Sequence, residues 1–238
     1  MPYRRLPNTD LARIRALRTA IETEERNGFS NHILEFKTVL EARNFLTLFE
    51  KQQNIYLQSL HNQVNANKRY QQMISNARMY ISHFIQVFNM TVVRGEIKKE
   101  HKQLYGLETD NHTVPDLSTE QLVLDWGKKV IEGENERIKR GGMPIYNPTI
   151  AKVKVHFDVF REYKTSQKIY QQTTNRNWEE MVALRQKGDD IIIRLWNEIE
   201  ERYKNLKPYA RMQKCRELGV VYYYRKGEAE LTPQSDQE

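Results

Sequence analysis

From Asn31 the chain runs sixty-odd residues without a proline, and its first glycine in that run is Gly95. A stretch with neither of the two strongest chain breakers has few folds open to it. Ile33, Phe36, Leu40, Ala42, Phe45, Leu46 and Phe49 fall mostly three and four residues apart, and Tyr56, Leu60 and Val64 continue the pattern. Tyr70, Met73, Ala77, Ile81, Phe84 and Phe88 repeat it. That spacing places the apolar side chains on one face of a 3.6-residue helix.

One unbroken helix over this stretch would be roughly 95 Å long at 1.5 Å per residue. The Asn-rich segment Asn62-Gln63-Val64-Asn65-Ala66-Asn67 offers a turn, because Asn tolerates the left-handed conformation. The sequence thus predicts an αα-hairpin with two long arms, and a continuous helix is the alternative. A fainter copy of the stretch extends from about Asn147 to Asn205, with Thr173-Thr174-Asn175-Arg176-Asn177 standing where the first copy turns.

Around these stretches the chain has a repeated order. Thr9 or Asn8 caps a first helix, with Asp10 in its first turn and Leu11, Ile14, Leu17 and Ile21 as its stripe. Gly28 stops that helix, and Gly28-Phe29-Ser30 forms the loop to the long stretch. A short basic helix runs from Glu96 to about Tyr105 and ends at Gly106. Residues 108–117 are polar, carry Pro115, and read as a linker. At Ser118 the order restarts, with Ser118 and Gln121 at capping-box spacing. Asn147-Pro148-Thr149 opens the second long stretch with Pro at its first position.

Ala20-Ile21-Glu22-Thr23-Glu24 aligns with Val130-Ile131-Glu132-Gly133-Glu134 at the same offset that relates Thr9-Asp10 to Thr119-Glu120. Farther on, Gln53-Asn54-Ile55-Tyr56 matches Gln167-Lys168-Ile169-Tyr170, Phe84 matches Trp196, and Leu104-Tyr105-Gly106 is echoed by Glu217-Leu218-Gly219. Ordered matches with small gaps point to a tandem duplication. The expected fold is mainly α: a tandem-duplicated helical bundle of long αα-hairpins with a small C-terminal β-hairpin. Its parts are a first helical repeat at 1–107, the linker at 108–117, a second repeat at 118–219, and a hairpin and disordered tail at 220–238. The two repeats could share one core. The hairpin would pair Val220-Val221-Tyr222-Tyr223-Tyr224 with Ala229-Glu230-Leu231 across the turn at Arg225–Glu228.

Composition narrows the function classes. Of the 238 residues 39% are hydrophobic and 29% charged, within the globular range. There is no run of 18 apolar residues, so no membrane span is expected. The N-terminus has no apolar signal region, which favours the cytoplasm. The single Cys215 cannot form an internal disulfide; between Lys214 and Arg216 it is either a low-pKa thiol or a half-buried helix residue.

Motifs for chemistry are sparse. The six His, none three or four residues from another, lack metal-ligand spacing. Arg140-Gly141-Gly142-Met143 is too short for a phosphate loop. Asp189 and Asp190 point about 100° apart on a helix and do not converge as a catalytic pair. The expectation is therefore no catalytic, cofactor-binding or metal site, and no cofactor.

Charge is the remaining signal. The formal net charge is +7. From Lys51 to Gly95 there is no Asp or Glu, while the matching part of the second copy is mixed in charge. Lys51, Lys68, Arg69, Arg78 and Arg94 define a candidate interaction face there. Arg4, Arg5, Arg13, Arg15 and Arg18 make a second basic cluster, in which Arg15 and Arg18 are the candidate contacts. An acid-free tract suits either a polyanion or burial in an interface, where carboxylates are costly. The expected function is a non-catalytic helical interaction or scaffold protein whose partner is a protein or, by self-association, a second copy. The alternative is weak, salt-dependent nucleic-acid binding through 51–95 and the Arg cluster. Tyr222–Tyr224 fall short of an aromatic base-stacking platform.

Overall fold

The computed structural model describes residues 2–27 and 32–233. The fold is mainly α. In chain order it comprises β1 (Tyr3–Arg4), α1 (Asp10–Asn27), α2 (Phe36–Val93), a 3-10 helix (Lys99–Tyr105), α3 (Glu120–Lys139), α4 (Ile150–Arg202), α5 (Pro208–Glu217) and β2 (Tyr222–Tyr223). The helix stop at Gly28, the loop Gly28-Phe29-Ser30 and residues 234–238 of the tail lie outside the described residues.

Both expected hairpin turns are corrected. Residues 62–67 are helical within α2, which is one helix of 58 residues. Asn permits a left-handed residue but does not require one, and no described non-glycine residue adopts positive φ. Asn costs a helix only a few tenths of a kcal/mol more than its neighbours, roughly 0.7 at most against Ala. Residues 173–177 likewise lie inside α4. There the Thr173 hydroxyl donates to the Ile169 carbonyl one turn back, at 3.0 Å, the helix-compatible outlet for a Thr hydroxyl.

The chain forms two compact units that do not follow chain order. Unit 1 comprises 1–59 and 174–238, and unit 2 comprises 60–173. Each combines a leading helix, the early part of one long helix, the later part of the other, and a closing helix. In unit 1 these are α1, α2 to Ser59, α4 from Thr174, and α5. In unit 2 they are α3, α4 to Thr173, α2 from Leu60, and the 3-10 helix.

The core of unit 1 gathers Leu17 and Ala20 of α1, Ala42 and Phe49 of α2, Met181, Ile192, Leu195, Trp196 and Ile199 of α4, and Met212 and Cys215 of α5. The core of unit 2 gathers Val130 of α3, Val153 and Phe160 of α4, and Tyr70, Ile81, Phe84, Ile85 and Phe88 of α2, with Tyr105. The cores bury residues in one register along the chain: Leu34 and Ile145, Ala42 and Val153, Phe49 and Phe160, Tyr70 and Met181, Ile81 and Ile192, Phe84 and Leu195, Ile85 and Trp196, Phe88 and Ile199. Burial thus pairs Phe84 with Leu195, one residue from the match that sequence alone suggested.

Both leading helices begin on a Thr. Thr9 Oγ1 accepts from Ala12 N at 3.2 Å, and Thr119 Oγ1 from Leu122 N at 3.3 Å. The cap of α3 is therefore Thr119 rather than Ser118, whose backbone and hydroxyl bond Asp116 instead. Helix α4 begins at Ile150, so Pro148 precedes it, and Thr149 Oγ1 accepts from Lys152 N.

The terminal sheet is also corrected. β2 pairs antiparallel with β1, Tyr3 opposite Tyr223 and Arg4 opposite Tyr222, rather than with 229–231. A lone hairpin of two-residue strands is marginal in water. Here the side chains dock it: Tyr222 is buried with its hydroxyl donating to Glu200 at 2.6 Å. The Tyr224 hydroxyl contacts the Met212 sulfur and accepts from Leu231 N, which holds the returning segment without a ladder.

Candidate interaction surfaces

The arginine cluster of α1 and its flank divides by partner. Arg13, buried, makes a two-pronged bond to Asp189 at 2.8 and 2.9 Å. Asp10 accepts the fork of Arg185 at 2.7 and 2.8 Å. These paired ions tie α1 to α4 within unit 1, and Asp189 is thereby a structural partner in mid-helix. Arg4 bonds Asn197 and lies 3.6 Å from Glu200, and Arg18 bonds Glu50.

Arg15 and Arg5 are left exposed, and no ion pair engages them among the described residues. They line a cavity of about 520 Å³ in unit 1, together with Arg216 at the end of α5. Its floor is Leu6, Pro7, Ala12, Ala16, Gly219 and Val221, and its rim adds Asn8, Thr9, Thr19 and Tyr223. No carboxylate lines it. The Arg5 guanidinium stands 5.3 Å from the Tyr223 ring centre. Arg216 escaped the sequence reading because it lies two hundred residues from the cluster. The bonds Arg5 N to Val221 O and Arg4 to Tyr222 across the sheet bring the termini together and place it there.

A second surface of unit 1 is apolar. At the head of α2, Phe36 is 79% exposed, and Leu40 and Leu48 are also exposed. Phe36, Leu40 and Leu48 are separated by four and eight residues and share a broad helix face. Leu40, Phe45 and Leu48 line a groove of about 420 Å³ with Lys37, Glu41, Asn44 and Lys187. Glu41 is bound by Arg194 at 2.8 Å, which holds its carboxyl below the usual range. Lys37 and Lys187 remain outside any ion pair among the described residues. The groove is thus largely apolar, with Lys37 and Lys187 beside the Arg194-bound Glu41 carboxylate at its edge.

Lys51 of the acid-free tract is an exposed residue of unit 1. The other tract residues belong to unit 2, where Lys68 and Arg69 are exposed. Arg69 borders a polar cavity of about 460 Å³ that also contains Glu162, Asn62, Asn65 and Gln167. Arg78 is half-buried and donates to the Ser118 carbonyl at 2.9 Å, so it braces the linker to α2. Arg94 forks onto Glu96 at 2.7 and 3.1 Å. Of the tract's cations, Arg78 and Arg94 therefore have internal partners. The tyrosine triplet is dispersed: Tyr222 is buried, Tyr224 half-buried and Tyr223 exposed.

The strongest electrostatic arrangement lies inside unit 2 and is structural. Glu134 and Arg137 are buried and doubly bonded at 2.8 Å. Glu134 also accepts from the Tyr105 hydroxyl and from Ile145 N at 3.1 Å, and Arg137 donates to Met143 O at 2.7 Å. Burial alone would raise the Glu134 carboxyl, yet the bonds from Arg137, Tyr105 and Ile145 hold it below its ordinary range. Burial and the bond to Glu134 push the Tyr105 hydroxyl far up. Both Glu134 oxygens, the Tyr105 hydroxyl and the Nε and Nη2 of Arg137 have partners, and the segment after α3 is fastened to the helix. Gly142 is part of this fastening, since a Cβ there would stand 2.6 Å from the Arg137 side chain.

Lys102 of the 3-10 helix is similarly absorbed. It is buried and donates to Asn111 O at 2.7 Å, pinning the linker, and burial lowers its pKa. Cys215 is buried, and burial raises its thiol despite the flanking cations, so it is not the low-pKa thiol that Lys214 and Arg216 suggested.

Among the described residues no group of three or more His, Cys, Asp or Glu is placed to hold a metal ion, and no helix is long and apolar enough to cross a membrane. No family model, curated protein or solved structure matches this chain.

Proposed function

We propose that the chain is a non-catalytic helical interaction protein, built by tandem duplication, that binds an acidic amphipathic helix of a protein partner along the head of α2. The observation that carries this reading is the exposed Phe36, Leu40 and Leu48 beside a groove edged by Lys37 and Lys187, neither in an ion pair among the described residues, with its one carboxylate, Glu41, bound by Arg194. An apolar stripe of this kind is what a partner helix covers with its own anchors three and four residues apart. The lysine edge selects carboxylates on that partner. It also disfavours a second copy in face-to-face contact, since a two-fold interface would set like surfaces against each other.

Duplication is supported by the common burial register and by the recurrence of a Thr cap and a buried carboxylate on each leading helix. Glu24 accepts from Ile33 N at 3.0 Å and Leu34 N at 3.4 Å, as Glu134 accepts from Ile145 N.

The test uses two synthetic helical peptides with the same leucine stripe, one flanked by Glu and one by Lys. The Glu peptide is expected to bind, and Phe36→Glu with Leu40→Glu to abolish binding while leaving the thermal melt unchanged. Equal binding of both peptides, or of neither, overturns the reading. So does a salt-independent dimer that the double substitution dissociates. Nucleic-acid binding is the second reading, supported by the exposed Lys68 and Arg69 in a tract of sequence that has no Asp or Glu. It predicts steeply salt-dependent binding of a mixed-sequence oligonucleotide that Lys68→Glu with Arg69→Glu removes.

A further inference from the structure

The two leading helices meet their closing helices in corresponding ways, and the difference between them exposes a site. In unit 2, a Cβ on Gly133 of α3 would touch Leu104 O at 2.8 Å, and Gly106 lies against the Lys129 side chain. In unit 1, Thr23 of α1 donates to Glu217 O at 3.4 Å, and Gly219 lies against Thr19. Thr23 corresponds to Gly133 and Thr19 to Lys129 in the register of the leading helices. Gly106 and Gly219 both hold positive φ, 68° and 87°, which lets the chain leave the closing helix there.

The same register sets Ala16 opposite Trp126, and Arg15 opposite Asp125. Trp126 packs against the unit 2 core, and Lys129 Nζ lies 4.5 Å from its ring centre. Unit 2 therefore fills this corner with an indole and a lysine stem. Unit 1 has Ala16 and Thr19 there, and the space left is the cavity of about 520 Å³ that holds Arg5, Arg15 and Arg216.

We infer that this cavity binds a small soluble organic phosphate carrying at least two phosphoryl charges. Three arginines and no acidic residue line it, and the planar fork of Arg suits phosphate oxygens. Asn8, Thr9 and Thr19 add polar residues to the lining. Of the acids next to lining residues, Asp10 is turned to Arg185 and Glu217 is bonded by Lys214 at 2.9 Å, and neither lines the cavity. Leu6, Pro7, Ala12 and Val221 give the organic body an apolar floor, and Tyr223 an aromatic edge. Charged groups along one side and apolar surface on the other are what a small-molecule site combines.

The site is independent of the groove at the head of α2, so its test is separate. Calorimetric titrations use inorganic tripolyphosphate and ADP on the full chain. Both are expected to bind, ADP through the added floor contacts. Arg15→Asp, which copies the unit 2 residue at an exposed position, and Arg216→Ala should each weaken binding about tenfold or more. Ala16→Trp with Thr19→Lys copies the unit 2 filling and should abolish it. Should that double variant melt early, the two exposed arginine variants decide alone. Absence of binding by either compound overturns the inference, as does binding that Arg15→Asp and Arg216→Ala leave unchanged. A phosphate on a lipid headgroup would meet the same arginines. Flotation with phosphoinositide vesicles separates that source: binding to vesicles with none to the soluble compounds overturns the assignment of a soluble ligand.

Discussion

Unit 1 and unit 2 bury corresponding side chains in the same order, but they partner their charges differently. Unit 2 takes its ions inside: Glu134, Arg137 and Lys102 are all buried and bonded, and Trp126 with Lys129 closes the corner between leading and closing helices. Unit 1 ties its buried Arg13 to the half-buried Asp189, bonds its buried Glu24 to backbone amides, and leaves that corner open with arginines around it. One core plan therefore tolerates two surfaces. The apolar register specifies the packing, and residues outside it, such as Ala16 and Trp126, are free to differ.

The largest expected difference lies between the two buried carboxylates. Glu134→Ala strands Arg137 and the Tyr105 hydroxyl in the core and should cost about 3–5 kcal/mol in urea denaturation. Glu24→Ala removes the acceptor of Ile33 N and Leu34 N without leaving a buried cation, and should cost about 1–3 kcal/mol. Equal costs would break the comparison.

Gly133→Ala comes next, since its Cβ would stand 2.8 Å from the Leu104 carbonyl. Overpacking of this kind should lose about 1–3 kcal/mol. Thr23→Ala at the corresponding place in unit 1 removes only a long hydrogen bond and should change the melt little.

Acid should also distinguish the units. The Glu134 carboxyl titrates below its ordinary value in the folded chain. Its contribution is complete above the usual glutamate range, near pH 4.5, and is lost as pH falls through the folded value. Hydrogen exchange recorded at falling pH should accordingly show the amides around Ile145 losing protection as Glu134 takes up its proton, and Glu134→Gln should remove that step. The caps should distinguish the units least. Thr9→Ala and Thr119→Ala should each cost about 1 kcal/mol and do so alike, because both hydroxyls accept one first-turn amide.

Much of this was legible in the chain itself. Apolar spacing marked the helices, and the pairing of Glu217-Leu218-Gly219 with Leu104-Tyr105-Gly106 recurs in space, down to the carbonyls that meet Thr23 and Gly133. The break at 62–67 misled because Asn is compatible with both a turn and a helix, and local chemistry does not choose between them. β2 found its partner at Tyr3–Arg4 because pairing across the termini leaves no local turn signal. The basic cavity was half visible. Arg5 and Arg15 stood in the cluster, and the exchange of Ala16 and Thr19 for Trp126 and Lys129 could be read from the aligned helices. Arg216 depended on the docking of α5, which no periodicity announces.

The most direct test of the account is an amide shift map of the chain titrated with the Glu-flanked helical peptide. It should perturb residues 36–48 and the neighbourhood of Lys187, and leave the Lys68 and Arg69 region unmoved. Shifts centred on Lys68 and Arg69, or no shifts at the head of α2, would contradict it.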